Sequence, residues 1–255
     1  VGLSKSTGDY IGFLDCDDWI EPEMYECLVK AMREYDADMA ASGWYKDWGG
    51  KNEKIENIGI VEKGVFGRNQ LLHYIYERDR YKEFAYIWNK IYKREILQRE
   101  NREFIWFSED LILGGDVLYL AEVALNVSKA VFVNRTFYHY FQREDSGGHS
   151  RDFAARKGHL IAYLRIIELF GDENVPEDIM VWVKRFLAYQ SSVIGRVAYE
   201  QKDEKGLLFC QELMKRYEKE YVSTNQEYPE RILEFNKILQ YNMGKRSRKN
   251  LNNSR

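Results

Sequence analysis

The sequence predicts an α/β fold over residues 1–150, followed by an α-helical region over residues 151–255. Three observations carry that expectation. A short apolar run around one glycine, Tyr10-Ile11-Gly12-Phe13-Leu14, ends abruptly in Asp15, Asp17 and Asp18, as a strand does when it delivers a polar loop to the end of a sheet. Helix-period and strand-like segments then alternate as far as Gln142. From Arg151 onward, apolar residues recur only at helical spacing.

Taken in order, Val1 to Thr7 reads as the end of a helix with Gly8 as its C-terminal cap. The Tyr10–Leu14 strand is expected to be parallel to its neighbours, because open α/β sheets gather ligands at the carboxyl ends of such strands. Pro22 suits the first turn of a helix, and Met24, Leu28, Met32 and Tyr35 give that helix an apolar face about four turns long. Met39 to Tyr45 is a second strand. Asp47 to Lys63 is rich in glycine and charge, with Ile55, Ile58 and Ile60 in weak alternation, and reads as a hairpin or mobile loop. A helix follows from Arg68 to Glu77 with Leu71, Leu72 and Ile75 on one side, and another from Lys93 to Arg99. Phe104 to Phe107 is strand-like and leads to Ser108, an N-cap for a helix over Glu109 to Ala124 that Gly114-Gly115 would weaken or kink.

Ala130–Val133 and Phe137–Arg143 read as two further strands, and the Asp145–Ser150 loop with its glycine pair could close as a lid. Beyond it, Leu160, Tyr163, Leu164, Ile167 and Phe170 make one helical stripe. A second helix starts near Pro176 with Ile179, Val183, Phe186 and Leu187. A third spans Glu204 to Tyr221, and Ile232, Phe235, Ile238 and Leu239 mark a fourth. Lys245 to Lys249 form a basic end, read either as a solvated tail or as a segment drawn to anionic lipid.

Composition narrows the function. With 255 residues, 45% hydrophobic and 15% aromatic, the chain can bury one large core or a core plus an appendage. A net charge of −3 supplies no basic field, so no nucleic-acid partner is expected. The cysteines Cys16, Cys27 and Cys210 are odd in number and lack metal or redox spacing, which suits a reducing cytosol; Cys16 is expected to turn back into the core. The longest apolar patch, Val117 to Leu125, is too short to cross a bilayer and carries Glu122, and no signal-peptide pattern is read. The expected location is cytoplasmic, with peripheral contact at the inner face of the membrane.

Asp15, Asp17 and Asp18 resist joint ionisation unless a positive group sits among them. Oxygen ligands of this kind suit a hard divalent cation shared with water and phosphate, so a metal and phosphate site is expected here.

The whole phrase from Gly2 to Pro22 closely resembles the middle of the family 2 glycosyltransferases of the GT-A fold: a glycine, a strand, Asp-x-Asp-Asp, and a proline that opens a helix. The resemblance implies a partial GT-A (Rossmann-like) nucleotide-sugar transferase domain followed by the helical region. It also implies that Asp15 and Asp17 hold Mg²⁺ or Mn²⁺ against the diphosphate of a nucleotide-sugar donor, with Asp18 beside them in donor binding. Members of the family open with a strand, helix and strand that grip the base, so the chain is expected to be N-terminally truncated.

Three later phrases extend the resemblance. Trp88-Asn89-Lys90-Ile91-Tyr92-Lys93-Arg94 is similar to a Trp-Asn-Lys-Leu-Tyr-Lys-Arg phrase of bacterial surface-polysaccharide members. Trp88 could be a stacking plate and Asn89 a hydrogen-bonding group for the acceptor, or Trp88 could be a buried aromatic. Glu109 and Asp110 have a plain explanation as acids at a helix N-terminus. The resemblance instead implies that Asp110 is the catalytic base, with Glu109 as its neighbour and an acceptor ligand. Tyr138 to Arg143 resembles a Tyr-x-Tyr-Arg-x-Arg segment, with Phe141 where the first arginine is expected. His139 is then either a third metal ligand or a satisfied structural histidine. Arg143 either neutralises the leaving diphosphate or forms a surface ion pair.

The function so implied is metal-dependent, inverting transfer of a sugar from a nucleotide-diphosphate sugar to a hydroxyl of a glycan or lipid-linked acceptor. The alternative is a truncated, inactive fragment serving as a binding or structural module. Two other Asp-x-Asp chemistries fit poorly. A haloacid-dehalogenase-type phosphatase wants Thr or Val where Trp19 stands, and an EF-hand wants an oxygen ligand and a glycine where Trp19 and Ile20 stand.

Overall fold

The computed structural model describes residues 1–48, 52–55, 64–142 and 152–242. The chain forms two compact units, one of Val1–Glu109 with Gly115–His149, the other of Asp110–Gly114 with Ser150–Arg255.

The first unit is built on a mixed seven-stranded sheet. Its strands are β1 (Tyr10–Gly12), β2 (Trp19–Ile20), β3 (Met39–Asp47), β4 (Asn52–Ile55), β5 (Gly64–Gly67), β6 (Lys90–Lys93) and β7 (Lys129–Phe141), and its helices are α1 (Gly2–Lys5), α2 (Met24–Tyr35), α3 (Arg68–Tyr76) and α4 (Gly115–Leu125). The main path runs β1-β6-β3-β7-β2, with β4 on β3 and β5 on β7. Among the described residues, only β3 and β7 run parallel. β1 pairs antiparallel with β6, Ile11 opposite Tyr92, so the strand that leads to the aspartates is not the parallel member the sequence pattern suggests.

β3 occupies the middle because Met39, Ala40, Ala41 and Ser42 are all buried, a run without polar alternation that only a strand covered on both faces tolerates. On one face α2 packs Met24, Leu28 and Met32 against Ala40, Trp44, Trp88, Ile91, Val131 and Tyr138. Tyr35, the last residue of the expected apolar face, is exposed.

β7 is one strand where two were expected. Its register against β3 shifts around Gly43, pairing Ser42 with Val133 and Gly43 with Thr136, so the intervening residues bulge and bend the strand without ending it. A Cβ on Gly43 would lie 2.9 Å from Thr136 Oγ1, which explains the glycine at the bend. Past the bulge, β7 reaches β2, with Trp19 opposite His139 and Ile20 opposite Tyr138.

Two helix boundaries differ from expectation. α1 ends at Lys5 with Ser6 extended, and Gly8 does not take the left-handed capping conformation. The helix expected from Glu109 starts six residues later, at Gly115, because Gly114 turns the chain at φ 94° just before it. The glycine pair thus punctuates the start of α4 and does not interrupt a longer helix. The stretch 49–63 contributes β4, while Ile58 and Ile60 lie outside the described residues.

The second unit is helical: α5 (Phe153–Asp172), α6 (Glu177–Glu200), α7 (Glu204–Arg216), α8 (Glu218–Ser223) and α9 (Pro229–Leu239). Asp152 and Asp203 cap α5 and α7 by accepting from the backbone N–H groups of Ala154 and Gly206. The helix expected over Glu204 to Tyr221 breaks at Tyr217 into α7 and α8. Residues 110–114 lie along α5 as a strap. Gly158 admits them, since a Cβ there would stand 2.4 Å from Leu113 O. No described helix is long and apolar enough to cross a membrane. The glycine loop after Gln142 and the basic tail lie outside the described residues.

Candidate active site

Past the end of β1 the chain turns sharply, the Asp18 N–H donating to Asp15 O at 3.1 Å. That turn holds the three aspartates at the edge of the first unit, but it gives them different work. Asp18 is a structural pin: its carboxylate accepts from the Tyr138 hydroxyl at 2.6 Å and from the Phe141 N–H at 2.8 Å, both on β7. The Tyr138 hydroxyl also accepts from the Asp15 N–H at 3.3 Å. Asp15 is exposed as a residue with its carboxyl partly desolvated, and Asp17 is half-buried.

Asp15 senses its neighbours. Desolvation by the surrounding protein, then the charges of Asp18, Asp17 and Asp116, hold its carboxyl above the ordinary carboxylate range. Asp116, exposed in the first turn of α4, is therefore a fourth acid facing this loop. The sequence reading missed it. The available signal was Gly114-Gly115 followed by an acid and then an apolar run, the pattern of a helix start at Gly115. Tyr140 also borders the cluster, its hydroxyl pushed up by burial, by Tyr86 and by the charges of Asp18, Asp15 and Asp17.

Among the described residues, no group of three or more His, Cys, Asp or Glu side chains is arranged to hold a metal ion. Asp15 and Asp17 nevertheless both offer carboxylate oxygens, the ligand type a hard divalent cation takes. The groups around Asp15 are acidic and all offer oxygen, and their charges add to the desolvation that raises its carboxyl.

The other candidates are placed elsewhere. His139 is buried with Nε2 3.0 Å from Glu21 Oε1 and Nδ1 3.3 Å from Asp47 Oδ2, so both ring nitrogens are engaged by carboxylates; this is the satisfied structural histidine, not a third metal ligand. Trp88 is 5% exposed and stacks on Tyr138 and Tyr86 with ring centroids 4.2 and 4.8 Å apart, so it is a core aromatic and offers no plate to an acceptor. Asn89 is fully buried, donating to Ser42 O and Glu83 O, which removes it from the acceptor as well. Cys16 is exposed and does not turn into the core.

Glu109 and Asp110 are both exposed in a turn that precedes α4, outside any helix. They also part company: Glu109 belongs to the first unit and Asp110 to the second, where Arg165 of α5 donates to both its carboxylate oxygens at 3.0 and 2.5 Å. Arg143 lies outside the described residues.

The Glycosyl transferase family 2 model matches residues 1–100. Among curated proteins, "Glycosyltransferase GlyA" of Streptococcus pneumoniae is 31% identical over 151 residues, covering 57% of this chain and 21% of that protein. "Cholesterol galactosyltransferase" of Borreliella burgdorferi is 28% identical over 153 residues, covering 57% and 41%. The chain thus spans less than half of either relative. The crystal structure of S. aureus TarS 1-349 in complex with UDP-GlcNAc aligns with a TM-score of 0.48 at 15% identity, over 85% of this chain and 70% of that one. The α/β unit that carries the carboxylate loop is thus similar in sequence to glycosyltransferases. The match to the family 2 model covers the N-terminal hundred of the 255 residues. The architecture of the chain is an α/β unit on a mixed sheet and a unit of α-helices.

Proposed function

We propose that this chain transfers a glycosyl unit from a nucleotide-diphosphate sugar to a hydroxyl of a glycan or lipid-linked acceptor, with inversion at the anomeric carbon. One observation carries the reading: Asp116, at the head of α4, lies within electrostatic reach of Asp15 on the Asp-x-Asp loop. A loop that can hold a cation and diphosphate therefore faces an exposed carboxylate.

Asp15 and Asp17 are the residues that would hold Mg²⁺ or Mn²⁺, whose charge offsets the negative charge building on the leaving diphosphate. Asp18, fixed to β7, keeps the loop in the shape that presents them. Asp116 takes the proton from the acceptor hydroxyl as its oxygen bonds to the anomeric carbon and the bond to the diphosphate breaks. A single displacement with one base inverts the centre, the logic of single-displacement sugar hydrolysis. Asp116 is preferred to Asp110 for this role because each Asp110 carboxylate oxygen already accepts from Arg165, an ion pair that Asp110 would have to share with the acceptor hydroxyl.

The test compares Asp116→Asn with Asp17→Asn. Transfer from a set of nucleotide-diphosphate sugars and calorimetric binding of the corresponding nucleoside diphosphates with Mn²⁺ are measured for each. Asp116→Asn should abolish transfer and leave Mn²⁺-dependent binding intact, whereas Asp17→Asn should lose that binding. Undiminished transfer by Asp116→Asn would remove it as the base.

A further inference from the structure

On the sheet face opposite Trp44 and Tyr138, three rings stand in one cross-strand row. Trp19 on β2 stacks on His139 of β7 at 4.9 Å with 12° between planes, and His139 stacks on Tyr45 of β3 at 4.7 Å with 30°. The register produces the row, since His139 is the paired neighbour of both Trp19 and Tyr45. The middle ring cannot shift easily, because Glu21 and Asp47 hold its two nitrogens from opposite sides. Phe141 leans on Trp19 from the same face at 6.0 Å.

What this rigid stack presents outward is Trp19. It is 42% exposed although His139 stacks on its ring and Phe141 leans on it. Beside it stands Glu21, with 44% of its side chain exposed and only one carboxylate oxygen turned to His139. The plate is joined directly to the Asp-x-Asp loop: Trp19 follows Asp18 in the chain, and the Asp18 carboxylate accepts from the N–H of Phe141.

We propose that Trp19 and Glu21 form the acceptor subsite, and that its occupant is a saccharide ring stacked on Trp19 with a hydroxyl donating to Glu21. The proposal rests on the glycosyl-transfer reading above and deepens it. A pyranose has an apolar face of C–H groups with slight positive charge and a rim of hydroxyls. The negative face of an indole meets the first, and a carboxylate that accepts from O–H meets the second. A free lipid chain would find no use for Glu21. His139, Asp47 and Tyr45 are positioning residues that keep the plate flat.

The experiment measures binding of methyl glycosides of glucose, galactose and N-acetylglucosamine by saturation-transfer NMR, without donor. The variants are Trp19→Ala, Trp19→Phe and Glu21→Gln, with Trp106→Ala as a control that removes another exposed indole. Where transfer is measurable, the acceptor KM is read alongside. Trp19→Ala should abolish saturation transfer or raise the acceptor KM by about tenfold or more. Trp19→Phe should restore part of it, and Trp106→Ala should change nothing. Melting curves for each variant separate loss of the plate from loss of the fold.

Equal saccharide binding by Trp19→Ala overturns the proposal. So does a loss confined to Mn²⁺-dependent nucleoside diphosphate binding, because the plate would then serve the donor. The same holds if no glycoside binds the unaltered protein. Failure of the glycosyl-transfer reading looks different: the unaltered protein would transfer from none of the nucleotide-diphosphate sugars while the saccharide data stood as they are.

Discussion

The Tyr138 hydroxyl joins both ends of the aspartate turn, donating to Asp18 Oδ2 at 2.6 Å and accepting from the Asp15 N–H at 3.3 Å. One phenol on β7 therefore sets the shape of the loop that would face the donor. Tyr138→Phe keeps the buried ring and deletes this bond. A hydrogen bond to a charged group contributes about 1.5–3 kcal/mol. The variant should melt earlier and bind Mn²⁺ with a nucleoside diphosphate more weakly; calorimetry that finds both unchanged would show that the loop holds its shape without the hydroxyl.

Asp110 and Asp116 should separate cleanly. Loss of a general base costs about 10²–10⁴ in rate, so Asp116→Asn should lower kcat on that scale. The Asp110–Arg165 pair is exposed by 60% and 40% on its two sides, and such pairs contribute about 1 kcal/mol or less. Asp110→Asn should therefore cost little stability and keep most of the turnover. Steady-state kinetics on the two variants decide between them.

Asn89 is predicted to behave as a structural residue. Its amide donates to Ser42 O and Glu83 O, and its oxygen accepts from Lys90 Nζ at 2.6 Å. Asn89→Ala would remove three buried hydrogen bonds, each contributing about 0.5–1.5 kcal/mol and more where the charged Lys90 takes part, although Glu83 O and Lys90 Nζ keep each other as partners. Denaturant unfolding should show a loss of several kcal/mol; a stable variant with only a raised acceptor KM would return Asn89 to the acceptor.

Glu83 gives the fold a pH dependence. It is fully buried with neither carboxylate oxygen hydrogen-bonded among the described residues, and desolvation raises it from 4.5 to about 7 against the opposing pull of Lys90. An acid raised on folding binds its proton more tightly in the native state. Its favourable term is complete below pH 4.5 and is lost as pH climbs through about 7. The loss amounts to about 3 kcal/mol at most. Lys90, driven down by the same burial, titrates with the opposite sign at its own pH. Glu83→Gln should flatten the slope between pH 5 and pH 7 and raise stability at pH 8, as read from denaturant midpoints across that range; a slope that survives the substitution would place its origin elsewhere.

How much was legible in the sequence depended on whether the signal was local. α2 and α3 were readable from Met24, Leu28 and Met32 and from Leu71, Leu72 and Ile75, because a periodic apolar face is decided within the segment. The aspartate turn was readable for the same reason. Strand direction was not, because β1 takes its orientation from β6, some eighty residues away. The bend in β7 looked like a strand end because Asn134 and Arg135 interrupt the apolar pattern, and only the partner β3 shows that the ladder resumes. The helix start at Gly115 was misplaced because Ser108, Glu109 and Asp110 make a good local N-terminus; residues 110–114 instead settle on α5. Trp88 and Asn89 carried no local mark of burial at all.

The strap bears on how such proteins can be recombined. Residues 110–114 are encoded inside the α/β half yet bedded on Gly158 of α5, and the chain returns from them at Gly115, one residue before Asp116. A chimera spliced at residue 150 would graft a foreign helical half beneath a strap it was never shaped to receive. Exchanging the helices between relatives therefore requires exchanging this short upstream insert with them, as one discontinuous cassette.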